Sequence, residues 1–133
     1  MAVIDAPVFV DALVSEGRVG IAARAELAET TELHVPAIFG AEVTSALSQL
    51  VRRRGLASAR ARAALAQVRV VRSVTYPFEP FVDRAWELRD NVTVYDAWYV
   101  ALAEWLDTEL ITADRRLVDA PGPRCRIRLV GGR

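Results

Sequence analysis

The stretch NVTVYDAWYVALAEWLDTELITADRRL, residues 91–117, decides the fold. Trp98, Tyr99, Leu102 and Trp105 recur at helical spacing, which predicts a long apolar helix over 94–106 with these four side chains turned inward. LITA then reads as a very short buried strand. The helix begins at an acid and the strand ends at one: Asp96 in the first turn of the helix, and Asp114 where the strand surfaces at its carboxyl end. Neither has an evident base to pair with in its own segment, so both look reserved for something outside the chain.

Working towards the amino terminus, residues 2–4 (AVI) form a second short buried strand, and its first polar residue is again an acid, Asp5. Val8, Phe9, Ala12 and Leu13 follow at helical spacing, with Gly17 as the stop. A second, Ala-rich helix covers 19–29. ELHV (32–35) is a strand ended by Pro36, which suits the first turn of a helix over 37–54. In that helix Ile38, Val43, Leu47, Leu50 and Val51 face inward, and Gly55 terminates it. Residues 57–67 make a helix with Arg60 and Arg62 exposed. The alternation of VRVVRSVTY (68–76) predicts a strand, and Pro77 and Pro80 bound a helix running through Trp86 and Leu88. On the carboxyl side, 115–120 is a turn or two of helix, Pro121-Gly122-Pro123 a turn, and CRIRLV (125–130) an edge strand.

Short strands separated by helices imply one α/β domain over 1–133, a parallel sheet covered on both faces. Ligands of such sheets bind beyond the carboxyl ends of the strands, where Asp5 and Asp114 stand. Glu42 lies in the first turns of the 37–54 helix. Four acids therefore sit at element boundaries inside apolar sequence: Asp5, Glu42, Asp96 and Asp114. Taken singly, each has a plainer reading. Asp5 and Asp114 suit helix caps, Asp96 suits a cap or the helix dipole, and Glu42 a solvated helix face. If the four converge, repulsion is serious, since two unit charges 4 Å apart at an effective dielectric of 20 cost about 4 kcal/mol. Only a cation holds such a cluster together. An all-oxygen ligand set selects Mg²⁺ or Mn²⁺, which can activate water and stabilise the charge that develops in phosphodiester hydrolysis.

Three segments carry a resemblance: VIDA near the amino terminus, LHVPAIFGAEVTSAL in the first third, and YDAWYVALAE followed by LITADRRL. Over nearly its whole length the chain resembles the PIN-domain ribonucleases, in particular the VapC-type toxins of toxin–antitoxin pairs. The resemblance implies a three-layer α/β/α fold around a central short-stranded parallel sheet. It carries an acidic quartet onto Asp5, Glu42, Asp96 and Asp114, with Asp5, Asp96 and Asp114 as Mg²⁺ ligands and Mn²⁺ as a substitute. Glu42 then orients the attacking water or serves a second metal, and Thr112 orients a carboxylate or water. It also implies an RNA substrate, a homodimer, and a cognate antitoxin that sets a basic residue against the acids. The family often has Ser or Thr two residues after the first acid; here that position is Pro7. A supporting hydroxyl is missing there, though no ligand is.

Composition narrows the classes further. The 133 residues are 53% hydrophobic, enough for a core and an apolar oligomer interface, and the seventeen basic and seventeen acidic residues cancel. Net charge therefore announces no nucleic-acid binder. Every basic residue is Arg. A phospho-receiver, which also gathers Asp at strand ends, needs a lysine and is excluded. One Cys, Cys125, and one His, His34, rule out an internal disulfide and His or Cys metal clusters. With no signal sequence and no long apolar run, the expected compartment is the cytoplasm. The remaining alternative to an enzyme is a catalytically silent PIN-like module that binds RNA or protein.

Arginines form the second feature. Arg115 and Arg116 directly follow Asp114 and suit contact with RNA phosphates. Arg52, Arg53 and Arg54 end a helix, where cations suit the dipole. Asp11, Glu26, Glu29, Asp83 and Glu104 read as ordinary surface charge, and His34 as structural.

Overall fold

A computed structural model describes residues 1–131. Five strands are present: β1 (Val3–Ile4), β2 (Leu33–Pro36), β3 (Ser73–Tyr76), β4 (Leu110–Thr112) and β5 (Ile127–Leu129). Between them run α1 (Ala6–Val14), α2 (Gly17–Ala28), α3 (Phe39–Arg54), α4 (Ser58–Val70), a 3-10 turn (Glu79–Phe81), α5 (Val82–Glu87), α6 (Val94–Trp105) and α7 (Arg115–Asp119). All strand pairs are parallel, in the orders β1-β4-β5 and β2-β3, and β1 lies against β2 without a hydrogen-bonded ladder among the described residues. Across the whole layer the order is thus 3-2-1-4-5. From β1 the chain steps one way to β2 and β3, then back past β1 to β4 and β5. Right-handed crossovers place α1 to α4 on one face and α5 to α7 on the other, a three-layer α/β/α fold. The step direction reverses between β1 and β4, and this reversal is the switch point where such sheets bind ligands.

The centre of the sheet is dry. Val3, Ile4, Leu110 and Ile111 are 0–1% exposed, and burying such a side chain contributes about 1.5–3 kcal/mol. Strands this apolar on both faces are what a covered parallel sheet requires. Helix α6 packs Ala97, Val100, Ala101 and Leu102 onto β1, β2 and β4, and small residues allow that close approach. Gly55 ends α3 in the left-handed region (φ 73°), a conformation open to glycine.

Several local expectations are corrected. Residues 68–70 belong to α4, and only 73–76 form the strand. The helical period Ala61, Ala64, Leu65, Val68, Val71 continues past Gln67 and packs on the core, and this outweighs the short apolar alternation. Pro36 is the last residue of β2 rather than the first turn of α3, which starts at Phe39. The N–H groups of Leu33 and Ala37 bond to β3, so by the two-residue period Pro36 turns its missing donor towards β1, where no ladder needs it. Gly17 does not stop α1: Ser15 caps it, and Gly17 opens α2 at φ 64°. Trp105 is 68% exposed, because α6 ends at it and its ring meets only the edges of Tyr76 and Phe81. Cys125 lies two residues before β5.

Candidate metal and catalytic site

Asp5 leaves β1 at the switch point and is 7% exposed. Its Oδ1 accepts the Val8 N–H at 3.2 Å, capping α1, while its Oδ2 accepts the Thr112 hydroxyl at 2.5 Å from the end of the neighbouring strand β4. Thr112 Oγ1 in turn accepts the Asp114 N–H at 3.0 Å. One hydroxyl thus ties the acid after β1 to the acid after β4. Asp114 caps α7 through the Arg116 N–H at 2.9 Å. The cap readings of Asp5 and Asp114 are both correct and do not compete with a ligand role, because a carboxylate offers about four acceptor positions.

Two helix amino termini bring in the remaining acids. Asp96 stands in the first turn of α6, whose cap is Thr93, with the Asp96 N–H donating to Thr93 Oγ1 at 3.1 Å. Glu42 stands in the first turn of α3 and accepts the Tyr99 hydroxyl at 2.6 Å. Tyr99 is missed by the sequence reading, which treats it only as core. It lies three residues after Asp96 and therefore on the same helix face, a spacing that could have flagged it. At 3% exposure, its phenol sits beneath the acids.

Electrostatics show that these groups share one field. Burial pushes Asp5 up to about 7, against the lowering bonds from Thr112 and Val8, and repulsion from Asp96 and Glu42 adds to the rise. Glu42 is raised by burial and by Asp96 despite the Tyr99 bond. Asp96 is raised by burial and by Asp114, offset in part by Thr93 and Arg116. The Tyr99 phenol is driven well above its ordinary range by burial, by its bond to Glu42 and by the surrounding negative charge. A hard divalent cation would relieve every one of these strains, and the oxygen-only donor set suits Mg²⁺ or Mn²⁺.

The acids form a chain rather than a closed cage. Asp96 and Asp114 line one cavity together with Arg116, whereas Glu42 faces a separate depression beside Tyr95. Among the described residues no three His, Cys, Asp or Glu side chains stand close enough to hold one ion. Asp5 is tied down by Thr112 and Val8. Arg116 carries an exposed ion pair to Asp114 at 3.4 Å, so Asp114 does have a base in its own segment, contrary to the sequence reading. Arg115 is exposed and does not line the cavity.

The PIN domain family matches residues 2–123. The chain belongs to the PIN-domain family. Its PIN relatives include ribonuclease VapC1 of Mycobacterium tuberculosis, 43% identical over 129 residues covering 96% of each chain. Ribonuclease VapC9 of the same organism is 40% identical over 130 residues, 98% of each chain. Among solved structures, FitAcB from Neisseria gonorrhoeae superposes with a TM-score of 0.68 at 16% identity, covering 96% of both chains. VapC20 of M. tuberculosis, a Sarcin-Ricin loop cleaving toxin, gives 0.65 at 16% identity, covering 90% of this chain and 94% of the other. At that identity the structural likeness concerns the fold, and it confirms the three-layer PIN architecture. Sequence similarity to the VapC ribonucleases runs through nearly the full chain.

Three surface expectations change once the side chains are placed. Asp11 is not surface charge: it is 3% exposed and takes the Ser15 hydroxyl at 2.7 Å. Glu26 and Glu104 are held by Arg128 and Arg84. His34 is structural, its Nδ1 2.7 Å from the Tyr76 hydroxyl. Among the described residues no helix is long and apolar enough to cross a membrane.

Proposed function

We propose that this PIN domain, spanning 1–133, is a divalent-metal-dependent endoribonuclease that hydrolyses RNA phosphodiester bonds as the toxin of a toxin–antitoxin pair. The observation that carries the reading is a set of carboxylates at the sheet's switch point, Asp5 buried and the others half-buried, with Asp5 and Glu42 oriented by hydroxyls rather than by an arginine and Asp114 carrying one exposed pair to Arg116. Asp5, Asp96 and Asp114 would hold Mg²⁺, with Mn²⁺ as a substitute. When bound, such an ion lowers the pKa of a coordinated water and stabilises charge on the phosphoryl oxygens. The protein's own contribution is positional. Thr112 fixes Asp5, Tyr99 fixes Glu42, and Glu42 orients the attacking water and takes up its proton as the water oxygen bonds to phosphorus. The bond to the departing ribose oxygen breaks, and that oxygen takes a proton from solvent. Arg116, at the cavity wall, is placed to hold a substrate phosphate, with Arg115 as a more distant contributor.

Relatives named VapC ribonucleases support the substrate class. We include in the same proposal a cytoplasmic homodimer and a cognate antitoxin that sets a basic residue against the acids. Removing several like charges from one another's field is what such a residue would do, much as the metal does.

A second reading, a catalytically silent module that binds RNA or protein, is favoured by the open arrangement of the acids as they stand. One experiment separates the two. The unfolding midpoint is measured with EDTA, Mg²⁺ or Mn²⁺ for wild type and Asp96→Asn, alongside cleavage of a mixed RNA pool. The nuclease reading expects metal stabilisation of about 2.7 kcal/mol at a hundredfold excess over Kd, RNA cleavage, and loss of both in Asp96→Asn. Cleavage should fall at least about a thousandfold, because an amide supplies no charge for the ion. No metal response and no cleavage in wild type would leave the silent module as the account.

A further inference from the structure

Beside Asp96 and Asp114 the cavity of about 380 Å³ extends to the turn that joins α5 to α6, where Arg89 forms part of its wall. That volume lies at the lower end of the roughly 300–1,000 Å³ typical of small-molecule sites. Arg89 is held in an unusual way. Its guanidinium carbon lies 4.2 Å from the centre of the Trp86 ring, and its Nη1 donates to the Trp86 carbonyl oxygen at 2.7 Å. Trp86 itself is 63% exposed, although an indole is among the most favourable side chains to bury.

Most other arginines with a well-defined partner differ in kind. Arg84, Arg128, Arg60, Arg116 and Arg126 each face a carboxylate, while Arg24 donates to the Ala12 and Ser15 carbonyl oxygens and has no ring beside it among the described contacts. No carboxylate stands within ion-pair distance of Arg89 among the described residues. Its charge is therefore oriented by a ring and a carbonyl without an ion pair, in the wall of a cavity that Asp90, Asp96 and Asp114 also line. A plate of indole and guanidinium offers both things a nucleotide needs: a flat face for a base and free N–H donors for a phosphate. Much of the ordering that binding requires is already done.

We propose that Trp86 and Arg89 form a stacking subsite for an unpaired nucleotide next to the scissile phosphodiester. The inference rests on the ribonuclease reading above and deepens it. Bases inside a helix are already stacked on their neighbours, so the subsite selects single-stranded segments and loops over paired RNA. Every base has a flat face, so it discriminates little among sequences. Arg89 holds the flanking phosphate while Trp86 holds the base, and the phosphodiester between them and the acids is the one positioned for attack.

The test is steady-state cleavage of a short unpaired RNA, and of the same strand annealed to its complement, by wild type, Trp86→Ala, Trp86→Phe and Arg89→Ala. Trp86→Ala should raise KM for the unpaired strand about tenfold, the effect expected of losing one stacked base, with kcat within about twofold. Trp86→Phe should recover most of it. The preference for unpaired over paired strand should shrink in Trp86→Ala. Arg89→Ala should raise KM and flatten its dependence on salt. Because Trp86 is exposed, unfolding midpoints should stay at the wild-type value. If wild type cleaves neither strand, the ribonuclease reading fails and this inference falls with it. If wild type cleaves but KM is unchanged in both Trp86→Ala and Arg89→Ala, this inference alone is overturned. Sedimentation provides the remaining decision: a Trp86→Ala protein that changes oligomeric state would make the indole a protein contact and overturn the subsite.

Discussion

Two half-buried glutamates on opposite sides of the molecule show how the chain treats negative charge. Glu104, near the end of α6, receives Arg84 Nε at 2.7 Å and Nη2 at 3.0 Å, and the Arg124 N–H at 2.7 Å. Burial pushes it up, yet the guanidinium and the backbone donor bring it below the usual carboxylate range. Glu42, near the start of α3, is also pushed up by burial but receives only the Tyr99 phenol, and it stays raised. The contrast is regional. At the far edge of the sheet, Arg128 binds Glu26 and Glu109 together, and its bond holds Glu26 low. At the switch point, Asp5 is served by the Thr112 hydroxyl and the Val8 N–H, Glu42 by the Tyr99 hydroxyl and the Asp96 carboxylate by Thr93. A guanidinium orients a carboxylate and cancels its charge; a hydroxyl orients it and leaves the charge in place. The switch point is thus aimed and still charged, which is what a cation site requires.

The largest way to expose this contrast is pH. Asp5 titrates near 7 in the folded chain against 3.8 for an unperturbed Asp. Between those values the folded state holds a proton that the unfolded state has released, so metal-free stability must fall as pH rises. Across the full interval Asp5 accounts for at most about 4 kcal/mol, and raised Glu42 and Asp96 act in the same direction. The paired acids run the other way: Glu26 and Glu104, held low, stabilise the fold above their unfolded values and lose that contribution on acidification. EDTA-treated protein should therefore unfold at a lower temperature at pH 8 than at pH 5.5. Added Mg²⁺ should stabilise most at pH 8, because ion and proton compete for the same oxygens. Metal-free stability that climbs steadily from pH 5.5 to 8 would contradict the picture.

Breaking the paired side should have a smaller effect of a different kind. In Arg84→Ala, Glu104 keeps its burial and loses its guanidinium, the side chains being 18% and 15% exposed in the native pair. The expected loss is about 2 kcal/mol in urea unfolding. Cleavage per folded molecule should not change, since Glu104 lies eight residues along α6 from Asp96, about 12 Å by helix rise. A drop in rate comparable to that of Asp96→Asn would mean that the two sides are coupled.

Much of this was legible in the sequence because the signals were strong and local. Asp5 directly follows an all-apolar strand, Asp114 stands two residues past the end of β4, and Gly55 can hold a conformation that other residues resist. What was not legible depended on contacts distant in the chain. Residues 68–70 alternate over a few positions, and only their packing against the core shows that α4 continues. Trp105 shares the spacing of Trp98 and Leu102, but a helix that ends there has nothing left to cover the ring. The acids' surroundings were hidden for the same reason. Tyr99 meets Glu42 across 57 residues, whereas Thr112, which meets Asp5 across 107, was flagged through the family resemblance alone. Asp11 and Glu104 share the composition of surface acids, and only tertiary placement makes them buried or paired.

The finest test of the regional contrast is Tyr99→Phe, which removes a single oxygen. The ring is 3% exposed and Phe fills the same volume, so the change leaves no cavity. Glu42 loses a neutral donor, and its carboxylate, half-buried, can turn to water, so stability should change by no more than about 1 kcal/mol. If the phenol serves only the core, cleavage should be untouched. If it aims Glu42 at the attacking water, kcat should fall about tenfold with KM nearly unchanged. The pH profile decides between these two roles. The Tyr99 bond lowers Glu42 against the rise from burial, so without it Glu42 titrates higher and the acidic limb of the rate profile moves to higher pH. A limb that stays in place would assign Tyr99 to packing and leave Glu42 aimed by the backbone of α3 alone.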